Sequence, residues 1–180
     1  LGVLRGDGLH RFIQDRAMRQ RIEDFPIRFA AVATDLRTGE AHIFNAGDVG
    51  AAVRASSAVP GIVAPAQIGG RLYSDGQLSS PVPVDAARLL GARTVVAVDV
   101  IYPPREAAPR TALGVLFQAF TITVHRLRAV EVARADLVIA PDLGRTASQY
   151  SFGDRERLVA VGERSAFEAI ESLRALSPRL

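Results

Sequence analysis

The sequence predicts an α/β domain of layered architecture, and three observations predict it. Short apolar runs suited to strands alternate along the chain with stretches of helical period, the order expected when helices cover a sheet. The segment Thr94-Val95-Val96-Ala97-Val98-Asp99-Val100 is β-branched almost throughout and follows a helical stretch ended by Gly91, which is half of a βαβ crossover. The size also fits: 180 residues, 48% hydrophobic and 23% charged, make one domain's worth of chain with a sizeable core.

Taken in order, Asp7 is placed to cap a short helix whose Leu9, Phe12 and Ile13 share one face. The charged stretch 16–23 reads as solvated, and Pro26 ends the helical pattern. Residues 27–34, nearly continuously apolar at their end, predict a strand buried on both faces. A turn at 35–39 and a returning strand at 41–44 make a hairpin, on which His42 is expected to face solvent. Asp48 predicts the N-cap of a helix over 49–57, after which Pro60, Gly61 and Pro65 break the chain into a loop. Gly69-Gly70 is a strong hairpin-turn pair between short strands at 66–68 and 71–73. Pro81 and Pro83 lead into a helix over 84–90.

Beyond the strand at 94–100, a loop rich in proline and charge occupies 102–109, and helical periodicity then runs from 111 to 133. Its apolar stripe, Leu113, Leu116, Phe117, Phe120, Val124 and Leu127, predicts packing on the sheet; a peripheral contact with a membrane surface is the other reading of such a face. A buried strand at 136–140 is stopped by Pro141, and 144–152 reads as a polar loop. Asp154 caps a last helix to about 176, with Leu158, Val161, Phe167, Ile170 and Leu173 expected to cover the sheet and Pro178 beyond its end.

Composition closes several functional classes. The chain has no Cys, so disulfide scaffolds, thiolate metal sites and Cys nucleophiles are excluded, and the compartment stays open. The 22 basic residues, all Arg, are scattered among 19 acids for a net charge of +3, without the clustering that nucleic-acid binding needs. No run approaches the ~18 apolar residues of a membrane span.

Asp75 stands out by its neighbours, although an Asp-Gly pair taken alone signals a turn and nothing more. It follows the Gly-rich turn Ile68-Gly69-Gly70-Arg71-Leu72-Tyr73 and precedes Gly76, so one carboxylate is placed on a tight ribbon among small residues and prolines. Ser56 and Ser57 lack the glycines of a strand–turn–helix elbow and read as packing residues. Asp99 could be called the ribose-binding acid of a dinucleotide fold, but no Gly-x-Gly-x-x-Gly precedes it. His125 sits within the long helix and reads as packed or solvated.

Five strings, in one order, carry a resemblance. They are Ala33-Thr34-Asp35-Leu36-Arg37-Thr38-Gly39, Arg54-Ala55-Ser56-Ser57-Ala58-Val59-Pro60-Gly61, Gly69-Gly70-Arg71-Leu72-Tyr73-Ser74-Asp75-Gly76-Gln77, Pro81-Val82-Pro83-Val84 and Gly91-Ala92-Arg93-Thr94-Val95-Val96-Ala97-Val98-Asp99. Over residues 4–100 the chain thereby resembles the C-terminal part of the bacterial patatin-like phospholipases.

That resemblance implies a mostly parallel or mixed central sheet with helices on both faces and a β-hairpin carrying a dyad Asp. It implies acyl-ester hydrolysis by a Ser–Asp dyad, with Asp75 as the dyad acid, Gly76 as its motif partner, and the segment 54–61 bordering the site. Lipid or other carboxylic esters would be the substrates, with no metal or organic cofactor and no nucleic acid, at a cytoplasmic or membrane-peripheral location. The sequence departs from the family in containing no Gly-x-Ser-x-Gly elbow and no Gly-rich oxyanion loop. The expectation is therefore that residues 1–180 are the C-terminal part of one domain whose nucleophile segment precedes Leu1. The alternative is a non-catalytic binding or regulatory module of the same fold.

Overall fold

The computed structural model describes residues 4–17, 20–104, 109–144 and 152–176. Within it the chain forms two compact units, Leu1–Pro81 and Val82–Leu180, each with its own core.

The first unit is built on a four-stranded antiparallel sheet in the order β2-β1-β4-β3. Strand β1 (Ala31–Asp35) returns through a turn into β2 (Ala41–Phe44), as the sequence predicts. Strands β3 (Ala66–Ile68) and β4 (Arg71–Asp75) are joined by Gly69 and Gly70, both at positive φ, the backbone that a two-residue hairpin turn requires. The pairing of β1 with β4, Ala33 opposite Asp75 and Thr34 opposite Ser74, unites the two hairpins. Every residue of β1 is buried.

Helix α2 (Val49–Ser56) packs on this sheet through its small residues. Ala52 and Ala55 lie in one core with Ala31, Ala33, Phe44 and Tyr73. Asp48 is its N-cap, accepting from the Ala51 N–H at 2.6 Å, and it also accepts from the side chains of His10 and Gln14 on α1 (Asp7–Arg16). Gly50 makes that helix pair close, because a Cβ there would meet the His10 backbone carbonyl at 2.7 Å.

The second unit contains α3 (Val84–Leu89), strand β5 (Val96–Val98), α4 (Ala112–Val132), strand β6 (Leu137–Ile139), α5 (Arg155–Glu168) and α6 (Ile170–Leu176). Strands β5 and β6 pair in parallel across α4, a connection of the crossover type expected of the 94–100 strand. Its small core gathers Val82, Val84, Val95 and Ala97. The Asp136 carboxylate stitches it by accepting from the Val95 N–H and the Arg88 guanidinium.

Several elements differ from the sequence-based expectation. Where one mostly parallel or mixed sheet is implied, the described strands form one antiparallel sheet of four and one parallel pair. Strand β1 starts at Ala31 and not at residue 27, because the partner it needs ends at Phe44; Ile27 is left 82% exposed. Asp7 does not cap α1: Gly6 at positive φ holds the N-cap position, and Asp7 pairs with Arg5. His42 is half-buried in an aromatic cluster with Phe44 and Tyr73, at ring separations of 4.5 and 5.0 Å.

On α4 the predicted stripe is covered only toward its C-terminal half. Val124 is buried while Leu113, Leu116 and Phe117 are exposed. The last helix is interrupted at Ala169, and α5 and α6 bury no residue, so Phe167 and Ile170 stay exposed and do not cover a sheet. No described helix is long and apolar enough to cross a membrane. Residues 18–19 of the predicted charged stretch, 105–108 of the predicted proline-rich loop, 145–151 of the predicted polar loop, and Pro178 lie outside the described residues.

Candidate active site

Three aspartates are buried at strand ends, and their surroundings differ. Asp35 closes the turn after β1: it accepts from the Arg37 N–H at 2.8 Å and pairs with the Arg71 guanidinium at 3.1 Å. The Arg37 N–H above all, with Arg71 helping, holds its carboxyl below the usual range. Asp99, just beyond β5, is ion-paired to Arg128 of α4 and accepts from the Ile101 N–H at 3.1 Å. A ribose-binding acid needs a carboxylate that is not already committed to a guanidinium, so the dinucleotide reading of Asp99 loses its residue.

Asp75 is the exception. It ends β4, and its side chain accepts from the Gln77 N–H at 2.9 Å, the hydrogen bond that starts the 3₁₀ turn Gly76–Leu78. Among the described residues no ion pair holds this carboxylate, and the residue is only 6% exposed. Burial pushes its pKa above the ordinary carboxylate value, against a smaller downward pull from the Gln77 N–H. A buried acid that is neither neutralised by a cation nor turned into bulk water is a proton acceptor of raised basicity.

The backbone around Asp75 is tightly tethered. Its N–H donates to the Ala58 carbonyl at 3.0 Å, and the Ser74 hydroxyl donates to the same oxygen at 2.7 Å. This ties the end of β4 to the residue just past α2, so the 54–61 segment and Asp75 come together as expected. The Asp75 carbonyl in turn accepts from the Thr34 hydroxyl at 2.9 Å, and Thr34 Oγ1 lies 2.8 Å from Ser79 Oγ.

Gly76 is needed because β1 lies against it: a Cβ there would stand 2.4 Å from the Val32 carbonyl oxygen. Any side chain at 76 would therefore drive β4 from β1.

An apolar cleft of about 370 Å³, lined by Leu36, Pro60, Gly61, Val63, Pro65, Ser74 and Leu78, opens nearby. Neighbouring residues of a strand point to opposite faces. The cleft thus belongs to the Ser74 face of β4, and the Asp75 side chain to the Ala33 face that α2 covers. Ser56 and Ser57 end α2 and are half-buried; neither is on a strand-to-helix elbow. His125 lies within α4, half-buried, with Nδ1 unpaired among the described residues.

Thr34, Ser74 and Ser79 are the members of this site that sequence reasoning missed. Thr34 and Ser74 stand in the quoted strings, but only the pairing of β1 with β4 shows that they are neighbours.

Residues 2–88 match the family model for patatin-like phospholipase, a span that includes Thr34, Asp75 and Gly76. An uncharacterized NTE family protein of Mycobacterium bovis is 37% identical over 112 residues, covering 60% of this chain and 31% of that protein. A second such protein, of Mycobacterium tuberculosis, is 27% identical over 168 residues, covering 79% of the chain and 29% of its own length. Patatin-like phospholipase domain-containing protein 6 of Mus musculus is 27% identical over 161 residues, covering 88% of the chain and 11% of its own length. The chain spans about a third or less of the length of the curated relatives it matches.

Proposed function

We propose that this chain is part of a serine hydrolase of lipid or other carboxylic esters, and that Asp75 is the acid of a Ser–Asp dyad. The observation that carries the reading is the state of the Asp75 carboxylate, buried, anchored on one N–H, and free of any described ion pair. The match of residues 2–88 to the patatin-like phospholipase family model supports the substrate class. In this reading the serine lies outside these 180 residues, which contain no Gly-x-Ser-x-Gly.

A serine hydroxyl attacks an ester only if its proton is removed as the bond forms. Asp75 takes that proton, the serine oxygen bonds the acyl carbon, and the carbonyl electrons move to oxygen. Collapse of the tetrahedral species expels the alcohol, which leaves with the proton from Asp75. Water then repeats the sequence on the acyl-enzyme, releasing the carboxylic acid and regenerating serine. An ordinary carboxyl of pKa ~3.9 is a weak base for this step, and burial acts in the useful direction.

The test is Asp75→Asn in the full-length protein, assayed with a p-nitrophenyl ester. The expected result is a loss of turnover of roughly 10³-fold or more with the fold intact. Turnover retained in that variant removes Asp75 from the mechanism. Labelling of the full-length protein by a fluorophosphonate reports the serine independently; a protein that is neither labelled nor active supports a binding module instead.

A further inference from the structure

The geometry around Asp75 assigns a role to a residue that does not touch the carboxylate. Thr34 Oγ1 donates to the Asp75 carbonyl at 2.9 Å and contacts Ser79 Oγ at 2.8 Å. A threonine hydroxyl has one proton, and a carbonyl only accepts. That proton is therefore committed to Asp75, and Ser79 must be the donor to Thr34. The result is a directed relay, Ser79 O–H to Thr34 O–H to the Asp75 carbonyl, whose central residue is 3% exposed.

The relay clasps both ends of a short arc. At one end is the Asp75 backbone; at the other is Ser79, whose N–H also donates to the Gly76 carbonyl at 3.0 Å. Between them lies Gln77, whose N–H holds the carboxylate. The direction of the carboxylate thus depends on where Gln77 sits, and Gln77 sits where Thr34 and Ser79 hold the arc.

We propose that Thr34 is a positioning residue for Asp75, aiming its carboxylate through the backbone of residues 75–79. The proposal rests on the dyad reading for its catalytic meaning, but the coupling of Thr34 to the carboxylate is measurable without catalysis. Thr34→Val keeps the shape of the side chain, removes the hydroxyl, and leaves Ser79 without its acceptor.

The experiment uses the full-length protein and its Thr34→Val, Thr34→Ser and Asp75→Asn variants. Two readouts are taken: kcat and KM for p-nitrophenyl butyrate, and a carboxyl ¹³C NMR titration of Asp75, assigned by its loss in Asp75→Asn. Thr34→Val is expected to lower kcat roughly tenfold or more with KM nearly unchanged, since misplacement by about 1 Å can cost ~10²-fold. It is also expected to move the Asp75 midpoint down toward the ordinary carboxylate range as water reaches the arc. Thr34→Ser, which keeps the hydroxyl, should restore both.

An unmoved midpoint with kcat within about twofold of wild type overturns the proposal, as does a Thr34→Ser variant as impaired as Thr34→Val. If Thr34→Val does not fold, Ser79→Ala breaks the relay from its outer end and is held to the same criteria. Activity retained in Asp75→Asn, with the midpoint still moved by Thr34→Val, overturns the dyad and leaves the positioning of the carboxylate intact.

Discussion

At the scale of single residues, the proposed dyad makes the proton affinity of Asp75 bear on both rate and stability. A base must be ionised to accept a proton, so turnover should fall as pH drops through the folded-state pKa of Asp75. Because burial raises that pKa, the acid limb of kcat/KM for the full-length protein should lie above the ordinary carboxylate range. A limb at the ordinary value would place the essential base elsewhere. Stability runs the other way. With the folded pKa raised, the folded state binds the proton more tightly than the unfolded chain, and this contribution is complete below the unfolded pKa and lost as pH rises through the folded one. Asp75→Asn removes the charge while keeping an acceptor for the Gln77 N–H, so its melting temperature at neutral pH should equal or exceed the wild type's. Asp35 has the opposite sign, since its lowered pKa contributes stability that is lost on acidification. Asp75 and Gly76 were legible as a pair in the sequence because turn chemistry is local. Thr34 was not, because its partners are 41 and 45 residues away and only strand register brings them near.

At the scale of elements, the reliable signals were those written in adjacent residues. Gly69-Gly70 specified the β3–β4 turn, and Asp48 specified the start of α2. Asp48 does more than its position suggested, since it also anchors His10 and Gln14 of α1. Asp48→Ala should therefore cost about 1–2 kcal/mol, at or above a usual cap, measured as a shift in the denaturant midpoint. A change below ~0.3 kcal/mol would mean that the α1 bonds do not form in solution. The less legible elements were those whose length is set by a partner. Residues 94–100 look like one long strand by composition, but β5 is only as long as its ladder with β6, which stops short of Pro141. Similarly, the apolar stripe of α4 names a face without saying how much of it is covered, and its N-terminal half is exposed.

At the scale of the whole molecule, the alternation of strands and helices read correctly as α/β, but it gave no sign that the described strands form two sheets. Alternation counts elements; it does not say which strands pair. The uneven burial leads to a measurable pattern of opening. Strand β1 has a partner on each side and is buried throughout, while α5 and α6 bury no side chain. In hydrogen–deuterium exchange on the full-length protein, β1 amides should be protected longest and those of α5 and α6 should exchange early. Slow exchange along α5 would show that another surface covers it in solution.

The hydroxyl relay from Ser79 stops at a main-chain oxygen and never reaches the acid itself. An asparagine at 75 therefore leaves the tethers to Ala58, Thr34 and Gln77 in place while removing the carboxylate that the proposed dyad needs. Under the proposed dyad, that variant of the full-length protein is a natural vessel in which to capture an uncleaved ester and watch where its acyl chain lies.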